Sequence, residues 1–435
     1  PARTASEAGF GAREPPPAPG SGAWFWRHSA SPTRSPPRGG VLQTPVTAAV
    51  QGIQWLKTSV DPLGVDMPPA LAAACATCDP NPQGDIVARV QRLSNALAVP
   101  VVPPSVPSPA ITARMQFGVA APPLGANTTA VVVDAAASAG DQIRKLYYRV
   151  LAAVVATEHS RPKSVDVATL LRTHSFHVAL FACAAEVVSC AHNRQSTMFP
   201  HSLKLLGLHA FDLWKTIEPF LVAEGSLPVA FRRHLAYVEE QILEEFAWVK
   251  GSPVLELLGT SPAQAAAGTA AAGAGAPAPT PAPSDMPAPA AVGSGAEEVA
   301  KPTLPAAAGF FLKKVAKLGA SRIEYLTSKL RLSPELEAQV WTSFLHLLKD
   351  PLPIMQDQHL DRMLLCTVYG VCKVNQLDLK FAAVVEQYKL FRSDGSGLRV
   401  IHNVQAHGRA TGLNIIEFYN KVYVPHMKPF IILFQ

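Results

Sequence analysis

One segment limits what this chain can fold into more than any other. Residues 261–301 read SPAQAAAGTAAAGAGAPAPTPAPSDMPAPAAVGSGAEEVAK and consist largely of Ala, Pro and Gly. Such a segment lacks the large apolar side chains of a core, and a proline every few residues blocks a continuous helix. We therefore predict a disordered linker that separates two folded parts, residues 41–260 before it and residues 302–435 after it.

Two other stretches have a similar composition. Residues 1–40 are rich in Ser, Arg, Pro and Ala, and we predict that they form a disordered tail. Residues 98–141 lie inside the first folded part, and helical patterning resumes at Asp141, so we predict a long loop or insertion there. Because the chain begins with Pro1 and not with Met, we expect it to be a fragment of a longer protein.

The two folded parts have the periodicity of α-helices. Leu146, Val150 and Val154 recur at every fourth position, which places them on one helical face. Ser333 followed by Pro334 has the form of a helix start, with Ser as the N-cap and Pro at the first helical position. The alternation of apolar and polar residues that marks strands is scarce. The predicted fold class is all-α, with two helical domains.

Composition and motifs argue against several classes of function. The formal charge is +6 and the pI about 9.0, but Lys and Arg form no dense block. We therefore predict a dispersed basic surface rather than DNA binding, and an acidic protein partner remains compatible. No apolar run is long enough to span a membrane, and residues 178–188 are too few. No Gly-rich phosphate loop after a strand, GxSxG or HExxH motif occurs, so we predict no enzyme; a hydrolase hidden in the helical domains is a remote alternative.

The cysteines and histidines lack the spacing of a metal site. Six cysteines form no disulfide framework in a chain of this length, which fits a reducing compartment. Cys75 and Cys78 form a lone CxxC motif, and His174 and His177 lie three residues apart without an accompanying carboxylate motif. We predict buried or capping histidines, no metal and no other cofactor.

Two short motifs could together form a peptide-binding groove. Tyr369 and Lys373 lie four residues apart, and Ile416, Tyr419 and Asn420 have i, i+3 and i+4 spacing, so each set shares a helical face. Apolar walls with a few fixed polar groups suit the capture of an extended peptide. The alternative is that both tyrosines are core aromatics and that Lys373 is a solvated charge. The residue pattern alone favours this alternative.

Several long segments resemble the pocket of the retinoblastoma family. Segments of the first part are similar to its A box, and segments of the second part are similar to its B box. In chain order they are KLYYRVL at 145–151, LLRTHSFHVALFACAAEVV at 170–188, LHAFDLWKTIEPFLVAEGSL at 208–227, the run 233–253, SPELEAQVWTSFLHLL at 333–348, LDRMLLCTVYGVCKVNQLDLKF at 360–381 and IIEFYNKVY at 415–423. The resemblance implies a cyclin-like fold for each part, and it implies that the two parts pack together despite the linker.

In this family the B box binds partners that carry an LxCxE peptide. The resemblance implies that Asn420 forms hydrogen bonds with the peptide main chain, that Lys373 pairs with the Glu of the motif, and that aromatic rings wall the Leu and Cys pockets. Ala382 stands where family members can carry a basic residue. The residues assigned to this site are Tyr369, Lys373, Phe381, Ile416, Tyr419 and Asn420.

The resemblance also implies a basic seam between the domains, which receives the acidic activation segment of E2-factor transcription factors. Its Lys and Arg side chains would pair with peptide carboxylates, and Glu218 and Glu239 would accept backbone amides. Val222 stands where a Lys is usual. The alternative is ordinary surface charge. The residues assigned to the seam are Arg161, Lys215, Glu218, Arg233, Glu239, Phe310, Lys313 and Lys317.

Phosphorylation is expected in the N-terminal region. Ser31 and Ser35 both stand in the sequence Ser-Pro-x-Arg, which cyclin-dependent kinases prefer, and Thr44 precedes a proline just before the first helix. A phosphate adds nearly two negative charges and would compete with an acidic ligand for the seam.

The resemblance thus implies a nuclear transcriptional repressor adaptor that controls cell-cycle progression. The expected partners are E2-factor/DP transcription factors, LxCxE proteins (chromatin modifiers, D-type cyclins and viral proteins) and cyclin-dependent kinases, whose action would release the transcription factor. Neither sequence-specific DNA nor a membrane is an expected partner. The alternative is a cyclin or a general transcription factor, since both contain tandem cyclin folds.

Overall fold

The computed structural model describes residues 45–98, 126–160, 166–259, 305–392, 396–404 and 412–435. The described residues from Ala49 onwards belong to one compact unit. The predicted tail 1–40 and linker 261–301 lie outside the described ranges. Their disorder and the domain boundaries drawn from them stay predictions.

The described ranges contain helices and connecting turns and no β-strand, which confirms the all-α class. Before the linker the helices are α1 Pro45–Ser59, α2 Pro69–Ala76, α3 Gln83–Ala98, α4 Ala126–Ser160, α5 Val167–Arg172, α6 His174–Ala191, α7 His201–Leu206, α8 Ala210–Ala223, α9 Val229–Glu244 and α10 Pro253–Gly259. After it they are α11 Ala306–Lys329, α12 Pro334–Leu347, α13 Leu352–Met355, α14 Leu360–Val374, α15 Phe381–Phe391, α16 Ser396–His402, α17 Ile415–Phe418 and α18 Val424–Ile431.

Two helix starts test the local sequence signals. The Ser333 hydroxyl accepts a hydrogen bond from the Leu336 amide, and Pro334 is the first residue of α12, as predicted. Helix α4 begins at Ala126 rather than at Asp141, so the last part of the predicted insertion is helical. Residues 126–141 contain no proline and are rich in alanine, which has the highest helix propensity.

Helix α6 forms the centre of the first half. Most of its residues are buried, and α4 and α8 pack against it. By length and composition this helix would pass for a membrane span, but 72% of it is buried inside the fold. A helix that is apolar all round is typical of a protein core, where neighbours cover every side.

Helix α14 has the corresponding place in the second half. Residues 360–368 are all buried, and α11 and α12 pack against this helix. Gly319 of α11 lies directly against Phe344 of α12, and a Cβ atom at this position would overlap the phenyl ring. Glycine therefore permits the close crossing of α11 and α12. Each half thus has one buried central helix, as the predicted pair of cyclin-like domains requires.

His177 is a buried structural residue in the first half. Its Nδ1 atom lies 2.6 Å from the Tyr147 hydroxyl, and its Nε2 atom lies 2.7 Å from the Leu171 carbonyl oxygen. A carbonyl can only accept, so Nε2 carries the proton and Nδ1 accepts from Tyr147. Burial lowers the pKa of His177 from 6.5 to about 4. Within the described ranges no group of His, Cys, Asp and Glu is suited to a metal ion.

We expect His177 to make the fold sensitive to mild acid. Its folded pKa lies below its unfolded pKa, so the unfolded state binds more protons below pH 6.5, and the stability is lost as the pH falls towards 4. Between pH 7 and pH 5 the free energy of unfolding should fall by about 2 kcal/mol on this account. Urea unfolding across this range should show a much flatter profile for His177→Gln. The exposed His174→Gln variant should keep most of the slope, and an unchanged slope in His177→Gln would refute the assignment.

An aromatic cluster joins the two halves. Phe311 of α11 is fully buried, and its ring centroid lies 5.5 Å from Phe211, 5.0 Å from Trp214 and 5.5 Å from Trp248, all of which belong to the first half. The Asp357 amide also donates a hydrogen bond of 2.9 Å to the Trp248 carbonyl oxygen. The second half therefore places one of its own aromatic rings in the core of the first.

A buried group of charges lies at the same boundary, and we call Glu244, Arg322, Asp361 and Arg392 the inter-domain ion cluster. Glu244 comes from α9 of the first half, and the other three come from the second half. Arg322 forms ion pairs with both carboxylates, and so does Arg392, at 3.0 Å from Asp361. The exposed side-chain fraction is 3% or less for Glu244, Arg322 and Asp361. Such charges persist in a core only when they are paired.

Neighbouring side chains complete the hydrogen bonding of the inter-domain ion cluster. The Tyr388 hydroxyl donates to Asp361 at 2.6 Å, and His359 Nε2 lies 3.3 Å from a Glu244 oxygen. Burial alone would raise the pKa of Asp361, but the charges of Arg322, His359 and Arg392 together outweigh it and hold this pKa below its usual value. Burial likewise opposes the ionisation of Glu244, whose pKa is nevertheless lowered by His359 and Arg322. Both carboxylates are therefore ionised at neutral pH.

Candidate peptide-binding sites

Three rings form an aromatic cluster in the second half. Tyr369 of α14 lies 4.8 Å from Phe381 at the start of α15 and 5.0 Å from Tyr419, measured between ring centroids, and Phe381 lies 5.9 Å from Tyr419. Tyr369 and Phe381 are half-buried, whereas Tyr419 is 8% exposed. The first two rings form an accessible apolar wall, and Tyr419 supports them from the core side.

A short π-helical segment positions Tyr419 and Asn420. Asn414 caps α17 by accepting from the Ile416 and Glu417 amides at 3.0 Å each, and α17 continues into a π-helix over Tyr419–Tyr423. Such π-segments are rare and are often found at functional sites. The sequence pattern predicted a regular α-helix here, because the spacing of Ile416, Tyr419 and Asn420 contains no signal for the wider turn.

The approach of this segment to α14 depends on Gly370. A Cβ atom at this position would lie 3.3 Å from the Tyr423 ring and 3.5 Å from the Ile431 side chain. Burial raises the pKa of Tyr419 to about 12, and the nearby Tyr369 phenol adds to the rise. The Tyr419 hydroxyl is therefore neutral at physiological pH, and it is suited to a hydrogen bond.

The polar residues assigned to this groove lie at its edge. Lys373 is exposed, and its Nζ atom lies 5.7 Å from the centroid of the Tyr369 ring. Such a contact holds an ammonium group near an aromatic face by cation–π attraction. Asn420 and Ile416 are exposed on the segment that carries Tyr419. The structure thus brings Tyr369, Phe381, Tyr419 and Lys373 together in one cluster, with Ile416 and Asn420 beside it.

A second concave site lies between the halves, and we call it the inter-domain groove. It has a volume of about 400 Å³ and receives side chains from α4, α8 and α9 of the first half and from the start of α11. The lining residues are Val154, Thr157, Glu158, Trp214, Lys215, Glu218, Pro219, Val222, Ala223, Glu239, Ala307 and Phe310. Phe310 is 48% exposed, and its ring centroid lies 5.7 Å from that of Trp214.

Lys314 does not line the groove but binds two carboxylates that do, and the sequence analysis missed it. Its Nζ atom lies 3.2 Å from a Glu218 oxygen and 3.0 Å from a Glu239 oxygen, so it links the two halves. Burial would lower the pKa of Lys314, but the hydrogen bonds and charges of Glu239 and Glu218 together raise it. Phe310 and Lys314 are four residues apart and share a helical face, and this spacing was the available signal.

Of the other residues assigned to the seam, some line the inter-domain groove and some do not. Lys215 lines the inter-domain groove and pairs with Asp212 at 2.6 Å. Arg233, Lys313 and Lys317 are exposed and are not among the lining residues. Arg161 lies outside the described residues, as do the predicted phosphorylation sites Ser31, Ser35 and Thr44.

Comparison with known proteins supports the resemblance. Residues 44–258 match the family model of the retinoblastoma-associated protein A domain, and residues 307–428 match that of the B domain. Similar proteins include "Retinoblastoma-related protein 1" of Pisum sativum, at 27% identity over 90% of this chain and 45% of the relative. "Retinoblastoma-related protein" of Vitis vinifera and "Retinoblastoma-related protein 2" of Oryza sativa subsp. japonica are each 28% identical over 92% of this chain and 47% of the relative.

This chain spans about half the length of the curated relatives it matches. The two family models match its two helical halves in order, and the unmatched residues between them include the Ala/Pro-rich segment. On these grounds the chain belongs to the retinoblastoma-related pocket family, with an A and a B pocket domain.

Proposed function

We propose that this chain is the pocket of a nuclear transcriptional repressor adaptor that controls cell-cycle progression without enzymatic activity. The observation that carries the proposal is the cluster of Tyr369, Phe381 and Tyr419 with Lys373 at its edge. An apolar wall with an exposed cation beside it suits a short peptide that has both apolar and acidic side chains. Membership of the pocket family weighs against the alternative of a cyclin or a general transcription factor.

In this proposal the groove of the second half holds an LxCxE peptide. The Leu and Cys side chains would contact the exposed faces of Tyr369 and Phe381, and Lys373 would pair with the Glu. Asn420 is exposed and has both a donor and an acceptor, so it can bind the main chain of an extended peptide. The partners would be chromatin modifiers, D-type cyclins or viral proteins that carry this motif.

Asn420→Ala should weaken the binding of a fluorescently labelled LxCxE peptide roughly 10- to 100-fold, since it removes about two main-chain hydrogen bonds. Fluorescence polarisation measures the effect directly. Lys421→Ala is the matched control, because this neighbouring exposed side chain pairs only with Glu417 among the described residues. A peptide with Gly in place of Cys should also bind weakly. Equal affinities of Asn420→Ala and the wild type would contradict the assignment.

The acidic activation segment of an E2-factor transcription factor would bind in the inter-domain groove and to the exposed cations Arg233, Lys313 and Lys317, which lie on α9 and α11, two of the helices that line it. Phe310 and Trp214 offer an apolar contact, and Lys215 offers a cation at the lining. Binding at this boundary would mask the activation segment while the LxCxE groove holds a corepressor. Phosphorylation of Ser31, Ser35 or Thr44 by cyclin-dependent kinases would then add competing negative charge and release the transcription factor.

Charge reversal tests this second assignment. Lys215→Glu combined with Arg233→Glu should weaken an E2-factor peptide by on the order of tenfold or more, because two favourable charges become repulsive. Isothermal titration calorimetry at two salt concentrations should show the loss, and the loss should be larger at low salt. Lys204→Glu combined with Lys250→Glu changes the net charge equally at exposed positions that do not line the groove. Unchanged affinity in the first double variant would show that the seam is wrongly placed.

A further inference from the structure

The resemblance assigned the inter-domain groove to contacts between cations and an acidic peptide, but its wall also exposes much apolar surface. Val222 is 66% exposed and Phe310 is 48% exposed, and both line this groove. Val154, Pro219 and Ala307 add further apolar surface around them. The groove also continues directly into the buried aromatic contact between the halves, because Phe310 touches Trp214, which in turn packs on Phe311.

The charges of the groove are unfavourable to a carboxylate near its centre. Glu158, Glu218 and Glu239 line the groove, whereas Lys215 is the single lining cation among the described residues. Lys215 is already paired with Asp212, and Lys314 is already paired with Glu218 and Glu239. An acid that entered here would have to displace an existing ion pair and would be repelled by the lining carboxylates, which costs binding free energy.

We propose that Val222 is a specificity-determining residue, and that the partner segment in this groove places an apolar side chain, and not an acid, against Val222 and Phe310. The occupant is an amphipathic peptide whose acidic residues lie outside the centre of the groove, where the exposed cations are. A volume of about 400 Å³ accommodates one or two large apolar side chains. The proposal rests on the proposed binding of an E2-factor segment and specifies which of its side chains this chain selects.

A substitution scan of the peptide tests this selection. Each residue of a labelled E2-factor activation peptide is replaced in turn by Leu and by Glu, and each peptide is titrated against the wild-type chain, Val222→Lys and Val229→Lys. At one peptide position the Leu peptide should bind the wild type about five- to tenfold more tightly than the Glu peptide, because Leu buries apolar surface that the acid cannot. In Val222→Lys the preference at that position should reverse, since Lys would pair with the acid.

Val229→Lys is the matched control, because Val229 is 55% exposed but does not line the groove. The Val229→Lys variant should have the same preference as the wild type at every peptide position. Circular dichroism and thermal unfolding of both variants check that the fold is kept, and the large exposure of both valines favours this result.

Three outcomes would overturn the proposal. If the parent peptide binds but no peptide position has a preference for Leu over Glu that Val222→Lys reverses, the E2-factor site stands and the role of Val222 is wrong. If no peptide binds any variant, the E2-factor site and the selection by Val222 both fail. If sedimentation of the wild type without peptide shows a dimer that Val222→Lys abolishes, the groove is occupied by a second copy of this chain.

Discussion

Arg322→Ala should lower the free energy of unfolding by about 3–5 kcal/mol, the cost of removing one partner from a buried ion pair. Arg322 pairs with Glu244 and Asp361, and all three side chains are almost completely buried. Its loss leaves two carboxylates with only Arg392 as a shared cation. Since Glu244 belongs to the first half and Asp361 to the second, the damage should fall on the boundary between the halves.

Urea unfolding of the whole chain measures this effect, and Lys329→Ala is the control. Lys329 is an exposed cation on the same helix, and its removal should change the free energy of unfolding by less than about 0.5 kcal/mol. The loss in Arg322→Ala should also depend on pH. Glu244 and Asp361 have lowered pKa values, so their contribution is present above about pH 4.5 and is lost as the pH falls further. Equal stability of Arg322→Ala and the wild type would mean that Arg392 alone neutralises the cluster.

Local sequence patterns predicted those features that depend on neighbouring residues. The N-cap at Ser333 and the shared face of Tyr369 and Lys373 both follow from helical geometry over a few residues. The structure brings Phe381 and Tyr419 to the same place, although they lie far apart in sequence. Periodicity could not show that contact, and only the resemblance to the pocket family pointed to it.

The inter-domain ion cluster lay beyond sequence reasoning. Its members come from α9, α11, α14 and the residue after α15, and each looks like an ordinary surface charge in its own segment. Their burial is a result of domain packing, which brings Glu244 against Arg322 across the linker. Lys314 is an intermediate case, because its helical spacing from Phe310 was visible but its two carboxylate partners were not.

The proposed LxCxE groove is supported by the exposure of Tyr369, Phe381 and Lys373, and not only by the contacts between them. Tyr419 is nearly buried, as the core-aromatic alternative requires, but Tyr369 and Phe381 keep accessible faces and Lys373 is exposed beside them. A purely structural cluster would not need a cation at its edge. The burial of Tyr419 therefore fits the core-aromatic alternative, whereas Tyr369 and Phe381 stay the proposed binding wall.

The neighbouring residues Phe310 and Phe311 allow the role of the inter-domain contact in stability to be separated from its role in binding. Phe311→Ala should lower the free energy of unfolding by about 3–5 kcal/mol, because it leaves a cavity among Phe211, Trp214 and Trp248. Since that cavity lies between the halves, calorimetry of the whole chain should show one unfolding transition separating into two, as each domain retains its own core.

Phe310→Ala is the matched control, one residue away on the same helix. Its ring is 48% exposed, so its loss should cost less than about 1 kcal/mol of stability. The same variant should nevertheless weaken an E2-factor peptide by on the order of tenfold, because the ring forms part of the groove wall. If Phe310→Ala destabilised the fold as much as Phe311→Ala, the exposed ring would be structural, and the inter-domain groove would lose its apolar contact as a binding feature.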